Sequence, residues 1–248
     1  VILTDHVRFI VPQSREYQFA AMTVIQRFVN GYDEKMRLNH VLPTSSPFEL
    51  HYELHGLPDE DWKFWQAIGL KLTKMPEPVE RCDMEIDMRE EQVLQFYAFD
   101  RHVCQAYGSS CGVEVSPLPE IRTVTPFLMR DVDGYGTSRL ERVLWLDNMD
   151  EDVAEGHLME AEDDEFSCVV GERGWLTWWA VAMGLPTIEI LKPDESVPWM
   201  SKWSSPLYRV IEENHKNLLH QSIHDLADVT LAVARHKEMK KQREAIPA

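Results

Sequence analysis

Gly171-Glu172-Arg173-Gly174 is the stretch of this chain whose residue types best suit chemistry. An apolar run, residues 166–170, leads into it, and a tryptophan-rich run, residues 175–183, follows. Glycines let a ligand approach the backbone closely. The free N–H groups that open a helix attract phosphate. Arg173 adds a charged fork suited to a diphosphate. Trp175 stands at the mouth of the helix, and Thr177 lies one half-turn further in. The competing reading is structural, because every strand–turn–helix needs a turn and glycines serve turns. The segment matches neither the G-x-G-x-x-G fingerprint nor a Walker A loop.

The elements that must position this loop are legible around it. "FSCVVG" reads as a strand, "GWLTWWAVAMG" as a helix ended by Gly184-Leu185-Pro186, and "TIEIL" as the next strand. The helix is apolar nearly all round, which predicts burial. In open α/β sheets ligands bind outside the carboxyl ends of the strands, where residues 171–174 would lie. Upstream, residues 7–12 predict a strand. A helix capped by Ser14 and closed by Asn30-Gly31 follows, then strands over 36–43 and 47–56. Asp59 caps a helix over 60–69, residues 81–87 form an edge strand, and 89–108 are helical. Residues 142–147 predict a strand, Ser205-Pro206 starts a helix, and a long helix covers 218–234. Strands alternate with helices throughout. The expected fold is therefore α/β, with two Rossmann-like halves and mainly parallel sheets. The halves are an N-terminal domain over 1–111 and a C-terminal domain over 127–234. A proline-rich linker at 112–126 separates them, and a basic tail covers 235–248.

Composition narrows the partners. The chain has 248 residues, 44 % hydrophobic, with a formal net charge of −17. A duplex-binding protein carries a basic footprint, so nucleic acid is not an expected partner. The four cysteines form no CxxC pair and match no zinc spacing. No apolar segment approaches the roughly 20 residues that span a bilayer. The run "VILTDHVRFIV" is interrupted by Asp5, His6 and Arg8, unlike a signal peptide. The expectation is a cytoplasmic chain with reduced thiols.

"GERGWLTWWAVAMGLPTIEI" resembles the donor-binding loop of GT-B glycosyltransferases related to the ADP-heptose–lipopolysaccharide heptosyltransferases. Glu172 and Gly174 match that family's acidic residue and glycine, and Gly184 and Pro186 its helix exit. "VRFIVPQSREYQF", "FELHYELHG" and "FWQAIGLKLTKMPEPVERCDMEID" resemble elements of its first domain more diffusely. Thr177 or Trp178 stands where the family carries a histidine. The family's glycine-aspartate loop, which supplies its catalytic base, has no counterpart. The resemblance implies a GT-B fold and transfer of a sugar from a nucleotide-sugar donor to an acceptor the sequence does not identify. The donor would be held by Gly171, Glu172, Arg173, Gly174, Trp175 and Thr177. Glu189 would hold the ribose hydroxyls, or stand as a surface carboxylate. Such transfer needs a base and a stabilised leaving diphosphate, and no metal or cofactor.

Other constellations keep alternatives open. Asp131-Val132-Asp133-Gly134 reads as a turn. It also resembles the DxD of metal-dependent GT-A transferases and the first motif of haloacid-dehalogenase-type phosphatases. His220 and His224 are spaced for one helix face and lack the glutamate of H-E-x-x-H. His51, Glu53 and His55 share one face of a strand. Residues 147–165 are strongly acidic and read as a solvated surface with one short helix. A non-catalytic reading therefore stands beside the enzyme: a degenerate transferase scaffold whose acidic surface binds a basic partner or mimics nucleic acid.

Overall fold

A computed structural model describes residues 3–39, 48–97, 103–113, 118–124, 143–161, 168–192 and 205–244. It has an α/β fold with two small parallel sheets, and the chain divides into two compact units between Arg122 and Thr123.

The first unit contains β1 (Leu3–Ile10), α1 (Arg15–Asn39), β2 (Phe48–His55), α2 (Asp59–Ala67), β3 (Met84–Asp87), α3 (Glu90–Tyr97) and α4 (Val103–Ser110). Its sheet runs β2-β1-β3, all parallel. Val7 and Phe9 of β1 and Leu50 and Tyr52 of β2 are buried. Phe9 meets Phe28 of α1 edge-on at 5.4 Å. The alternate positions carry charge: His6 pairs in register with His51, and Arg8 with Glu53. Parallel sheets are usually covered on both faces. Here residues 74–83 are tied to the strands from both sets of positions, buried Tyr52 and charged Glu53 among them. Tyr52 donates its hydroxyl to the Lys74 carbonyl at 2.6 Å. Glu53 accepts from the Val79 N–H at 3.0 Å, and Asp83 accepts from the His6 N–H at 3.1 Å.

These bonds predict acid sensitivity. The hydrogen bond from His6 is the main force holding the Asp83 carboxyl below its usual range. Desolvation pushes Glu53 up, but the Val79 N–H, His55 and Arg8 together bring it below its ordinary value. Arg89 lowers Asp87 in the same way. Depressed folded-state values contribute stability above the unfolded-state pKa, about 4, and lose it as pH falls through the folded values. The urea midpoint of this unit is expected to be level near neutrality and to drop below about pH 4. Glu53→Gln should flatten that drop; an unchanged acid limb in this variant would show that the carboxylate contributes nothing.

α1 does not close at Asn30-Gly31, and residues 36–39 belong to it rather than to a strand. Asn30 is occupied elsewhere: it donates to the Lys71 carbonyl at 3.1 Å and accepts from the Thr73 N–H at 2.9 Å. Phe28, Val29 and Tyr32 are buried, and their packing carries the helix past a glycine that costs about 1 kcal/mol in isolation. α2 ends as expected at Gly69, whose φ of +76° suits glycine. A Cβ there would lie 2.9 Å from Arg122 Cβ.

The second unit contains β4 (Val143–Trp145), α5 (Glu151–Met159), β5 (Cys168–Glu172), α6 (Trp175–Ala182), β6 (Thr187–Leu191), β7 (Tyr208–Glu212) and α7 (Leu219–Glu244). Its sheet runs β4-β5-β6-β7, again all parallel. Leu219, Ile223 and Leu226 of α7 pack on Cys168, Val170, Ile188, Ile190 and Ile211. Ser205-Pro206 does not start a helix. Ser205 accepts from the Leu207 N–H at 3.2 Å, the Leu207 carbonyl accepts from Thr187 at 2.8 Å, and the chain enters β7. Serine and proline start turns as readily as helices, and pairing with β6 decides between them. α7 runs on to Glu244, through the basic residues expected to form a tail. Lysine and arginine are good helix formers and favour the negative end of the helix dipole. Among the described residues no helix is long and apolar enough to cross a membrane.

Candidate functional site

The loop between β5 and α6 lies at the carboxyl end of the second sheet. β5 is flanked by β4 and β6, so its end opens over the middle of the sheet. Gly171 is required there by packing. A Cβ would come within 2.9 Å of Thr177 Oγ1 and 3.0 Å of Leu146. Thr177 turns back and donates to the Glu172 carbonyl at 2.6 Å, which closes the loop. Gly174 is different. Its backbone is extended (φ 168°, ψ 174°), and a Cβ would meet nothing within 4 Å. The space in front of it is open, and neither packing nor backbone angle demands a glycine.

α6 begins without a side-chain cap. Among the described residues no acceptor serves the N–H groups of Gly174, Leu176 and Thr177. Those groups face a cleft of about 270 Å³ lined by Leu146, Asp147, Glu151 and residues 172–177. Unpaired amides and the positive end of the helix dipole together favour an anion.

Arg173 is brought to this cleft by a buried clamp. Its Nε donates to Glu189 Oε1 at 2.9 Å, and Tyr208 donates its hydroxyl to Glu189 Oε2 at 2.8 Å. The Arg173 side chain is 9 % exposed and that of Glu189 1 %. Every residue of β6 is buried, so Glu189 is no surface carboxylate. Both its oxygens are engaged, on Arg173 and Tyr208, which makes it a holder of the arginine. The two terminal nitrogens of Arg173 have no partner among the described residues, and Arg173 is one of the residues that line the cleft.

Trp175 points inward. Its ring stacks on Trp179 with centroids 5.8 Å apart and planes 8° off parallel. Its Nε1 donates to Glu151 at 2.8 Å. Glu172 lines the cleft and pairs with Lys192. The cleft thus gathers Glu172, Arg173, Gly174, Trp175 and Thr177, with Glu189 holding Arg173; Gly171 does not line it and is packed against Leu146 and Thr177 instead.

Three participants were not singled out from the sequence. Asp147, which accepts from the Glu172 N–H, and Glu151 sit in the acidic run read as solvated. Tyr208 fell in the segment read as a helix. No local signal separates these residues from their neighbours; only the register of β6 on β7 sets Tyr208 near Glu189.

Asp131 and Asp133 fall outside the described residues. His220 and His224 are on α7, and no metal-binding group of three or more side chains occurs among the described residues. Burial pushes the Cys104 and Cys168 thiols up to about 12, so neither is a nucleophile near neutral pH.

Fold and site together define a class: an α/β protein of two parallel sheets with an open, arginine-bearing helix N-terminus at the carboxyl end of the second. No family model, curated protein or solved structure matches the chain.

Proposed function

We propose that the chain is a glycosyltransferase of the GT-B kind, whose 171–177 loop holds the diphosphate of a nucleotide-sugar donor. One observation carries the reading. Arg173 is fixed by Glu189 and Tyr208 beside amides of α6 that have no acceptor among the described residues, in front of an open Gly174. A preset guanidinium and oriented amides stabilise the charge that develops on a departing diphosphate, without reorganisation during the reaction. The two parallel sheets are compatible with a pair of Rossmann-like halves.

A second reading has its own support. Asp147, Glu151 and Glu172 border the same cleft, and the chain carries a net charge of −17. These suit a non-catalytic protein that binds a basic partner.

Melting curves with UDP-, GDP- and ADP-sugars separate the two. A donor at about a hundred times its Kd stabilises by about 2.7 kcal/mol, an upward shift of several degrees. Gly174→Trp should abolish the shift and leave the melting temperature of the free chain nearly unchanged, because the new side chain projects into empty space. EDTA should leave the shift intact, whereas a donor held through Asp131, Asp133 and a metal would be lost. If no nucleotide sugar moves the curve, the donor reading fails and the acidic interaction protein stands.

A further inference from the structure

The first unit has a groove of its own, of about 270 Å³, beside the outer strand β2. Gly56, at a φ of +84°, turns the chain sharply from β2 towards α2, and the Leu57 N–H reaches back to the Leu54 carbonyl at 3.5 Å. Leu54, Leu57, Pro76 and Pro78 give the groove its apolar lining, together with Trp62 of α2. Glu53, Asp59 and Glu77 give it three carboxylates, and no cationic residue lines it among the described residues.

The walls are tied in the free chain. The Glu77 N–H donates to the Tyr52 carbonyl at 2.9 Å, and the Val79 N–H to Glu53 at 3.0 Å. Pro76 and Pro78 lock φ on either side of Glu77. Asp61 holds α2 by accepting from Gln18 at 2.8 Å. Such a groove needs little further ordering to bind.

Two of its groups are left unused. Among the described residues, no ring stacks on half-buried Trp62 and nothing accepts from its indole N–H. Asp59 has no cationic partner among them either. The other two carboxylates are engaged: Glu53 with Val79, Arg8 and His55, and Glu77 with His51. An aromatic ring free of stacking partners suits a cation, and an apolar lining suits the stem of one.

We propose that this groove binds a small organic cation, an alkylammonium or alkylguanidinium, with its stem on the leucine and proline lining and its charged head on Trp62 and Asp59. The alternatives fit less well. An anion would meet three carboxylates. The positive end of the α2 dipole does not reverse that, since Asp59, Glu60 and Asp61 already stand in its first turn. A neutral apolar molecule would cover Asp59 without pairing it. A bare metal ion requires several ligands, and no group of three or more metal-binding side chains occurs among the described residues. The volume lies just under the range of drug-sized pockets, about 300–1,000 Å³, so the ligand is a small molecule or one side chain of a partner. Every lining residue belongs to the first unit, so the proposal rests neither on the donor loop nor on the acidic cleft beside it.

The test is an NMR titration of the whole chain, read on its eight tryptophan indole N–H signals. The signal lost in Trp62→Phe reports the groove. The probes are 1,5-diaminopentane, agmatine and Nα-acetyl-lysine methylamide, with 1-pentanol and glutarate as neutral and anionic controls. At least one cation should move the Trp62 signal at millimolar concentration, and neither control should. Asp59→Asn should weaken binding about threefold, the worth of one exposed ion pair. Raising the salt from about 0.1 to about 1 M, which shortens the screening length from about 10 to about 3 Å, should weaken it further. Saturation-transfer NMR on the same cations gives a second measure, in which Trp62→Phe should lose about fivefold. Binding of the acetyl-lysine probe would identify the natural source as a peptide lysine. Binding of the free amines alone would identify a polyamine or related metabolite. A still Trp62 signal with all three cations, an equal response to 1-pentanol, or unchanged affinity in Asp59→Asn overturns the proposal. Should Trp62→Phe not fold, the saturation-transfer comparison of Asp59→Asn with the unaltered chain decides alone. The nucleotide-sugar melting curves involve other residues, so the two proposals fail separately.

Discussion

Replacing Glu189 with alanine is expected to destabilise the chain by about 3–5 kcal/mol, the cost of leaving one member of a buried ion pair without its partner. Arg173 would keep its charge in a site where its side chain is only 9 % exposed, and the Tyr208 hydroxyl would lose its acceptor. Urea denaturation measures the loss as a lowered midpoint. Glu189→Gln should cost less, since an amide oxygen still accepts from Tyr208. The double change Arg173→Met with Glu189→Leu should recover most of the stability, because well-packed apolar residues often replace a buried ion pair at no net cost. It should not recover nucleotide binding. That combination, a restored fold with a silent site, assigns the clamp to function. A loss below about 1 kcal/mol in Glu189→Ala would mean that Arg173 is solvated and not fixed, since exposed pairs are worth about that much.

Trp65→Ala should cost about 3–5 kcal/mol, as deletions of large buried aromatics do. Trp65 is 0 % exposed and packs on Phe19 and Phe64. Its Nε1 donates to Gln18 Oε1 at 3.1 Å. Gln18, also fully buried, donates through Nε2 to the carbonyls of Pro12 and Gln13 at 3.2 Å each and to Asp61 at 2.8 Å. The alanine variant would both open a cavity and leave the Gln18 oxygen without its donor. Trp65→Phe separates the two effects, keeping most of the volume and losing only the hydrogen bond, about 1 kcal/mol. Equal costs for the two variants would place the whole effect in the bond. Because Gln18 holds the carbonyls that follow β1, this network also fixes the exit of the chain from that strand.

Much of the fold was readable residue by residue. β5, α6 and β6 fall where an apolar run, a glycine-bounded turn and a Gly-Leu-Pro exit put them. Strand β2 follows its alternating run and β3 is an edge strand as expected, whereas β1 (Leu3–Ile10) begins four residues before the run expected over 7–12, because its whole length pairs with β2. The misreadings have one origin. Asn30-Gly31 and Ser205-Pro206 are local signals with two outcomes each. Asn30 is drawn to Lys71 and Thr73, across a distance in sequence that no window covers. Residues 208–212 pair with β6 because that strand offers a free edge. In the candidate site, the loop itself was visible as a motif, but the roles within it were not. Arg173 and Glu189 were both candidate ligand contacts; one proves to hold the other.

By itself, then, the sequence determined the kinds of element and their order, and with them the alternation that makes parallel sheets. Those depend on periodicity and on turn residues, which are properties of neighbours along the chain. Tertiary structure alone decided which polar groups meet. Arg173, Glu189 and Tyr208 are 16 and 19 residues apart and come together only through the register of β6 on β7 and the bend after β5. That the Tyr107 hydroxyl has no partner among the described residues has the same origin, since nothing in its local sequence records what α1, α3 and α4 exclude when they pack. Hydrogen bonds act over about 3 Å of space regardless of separation in sequence, so which of these groups meet is settled by packing and not by their neighbours along the chain.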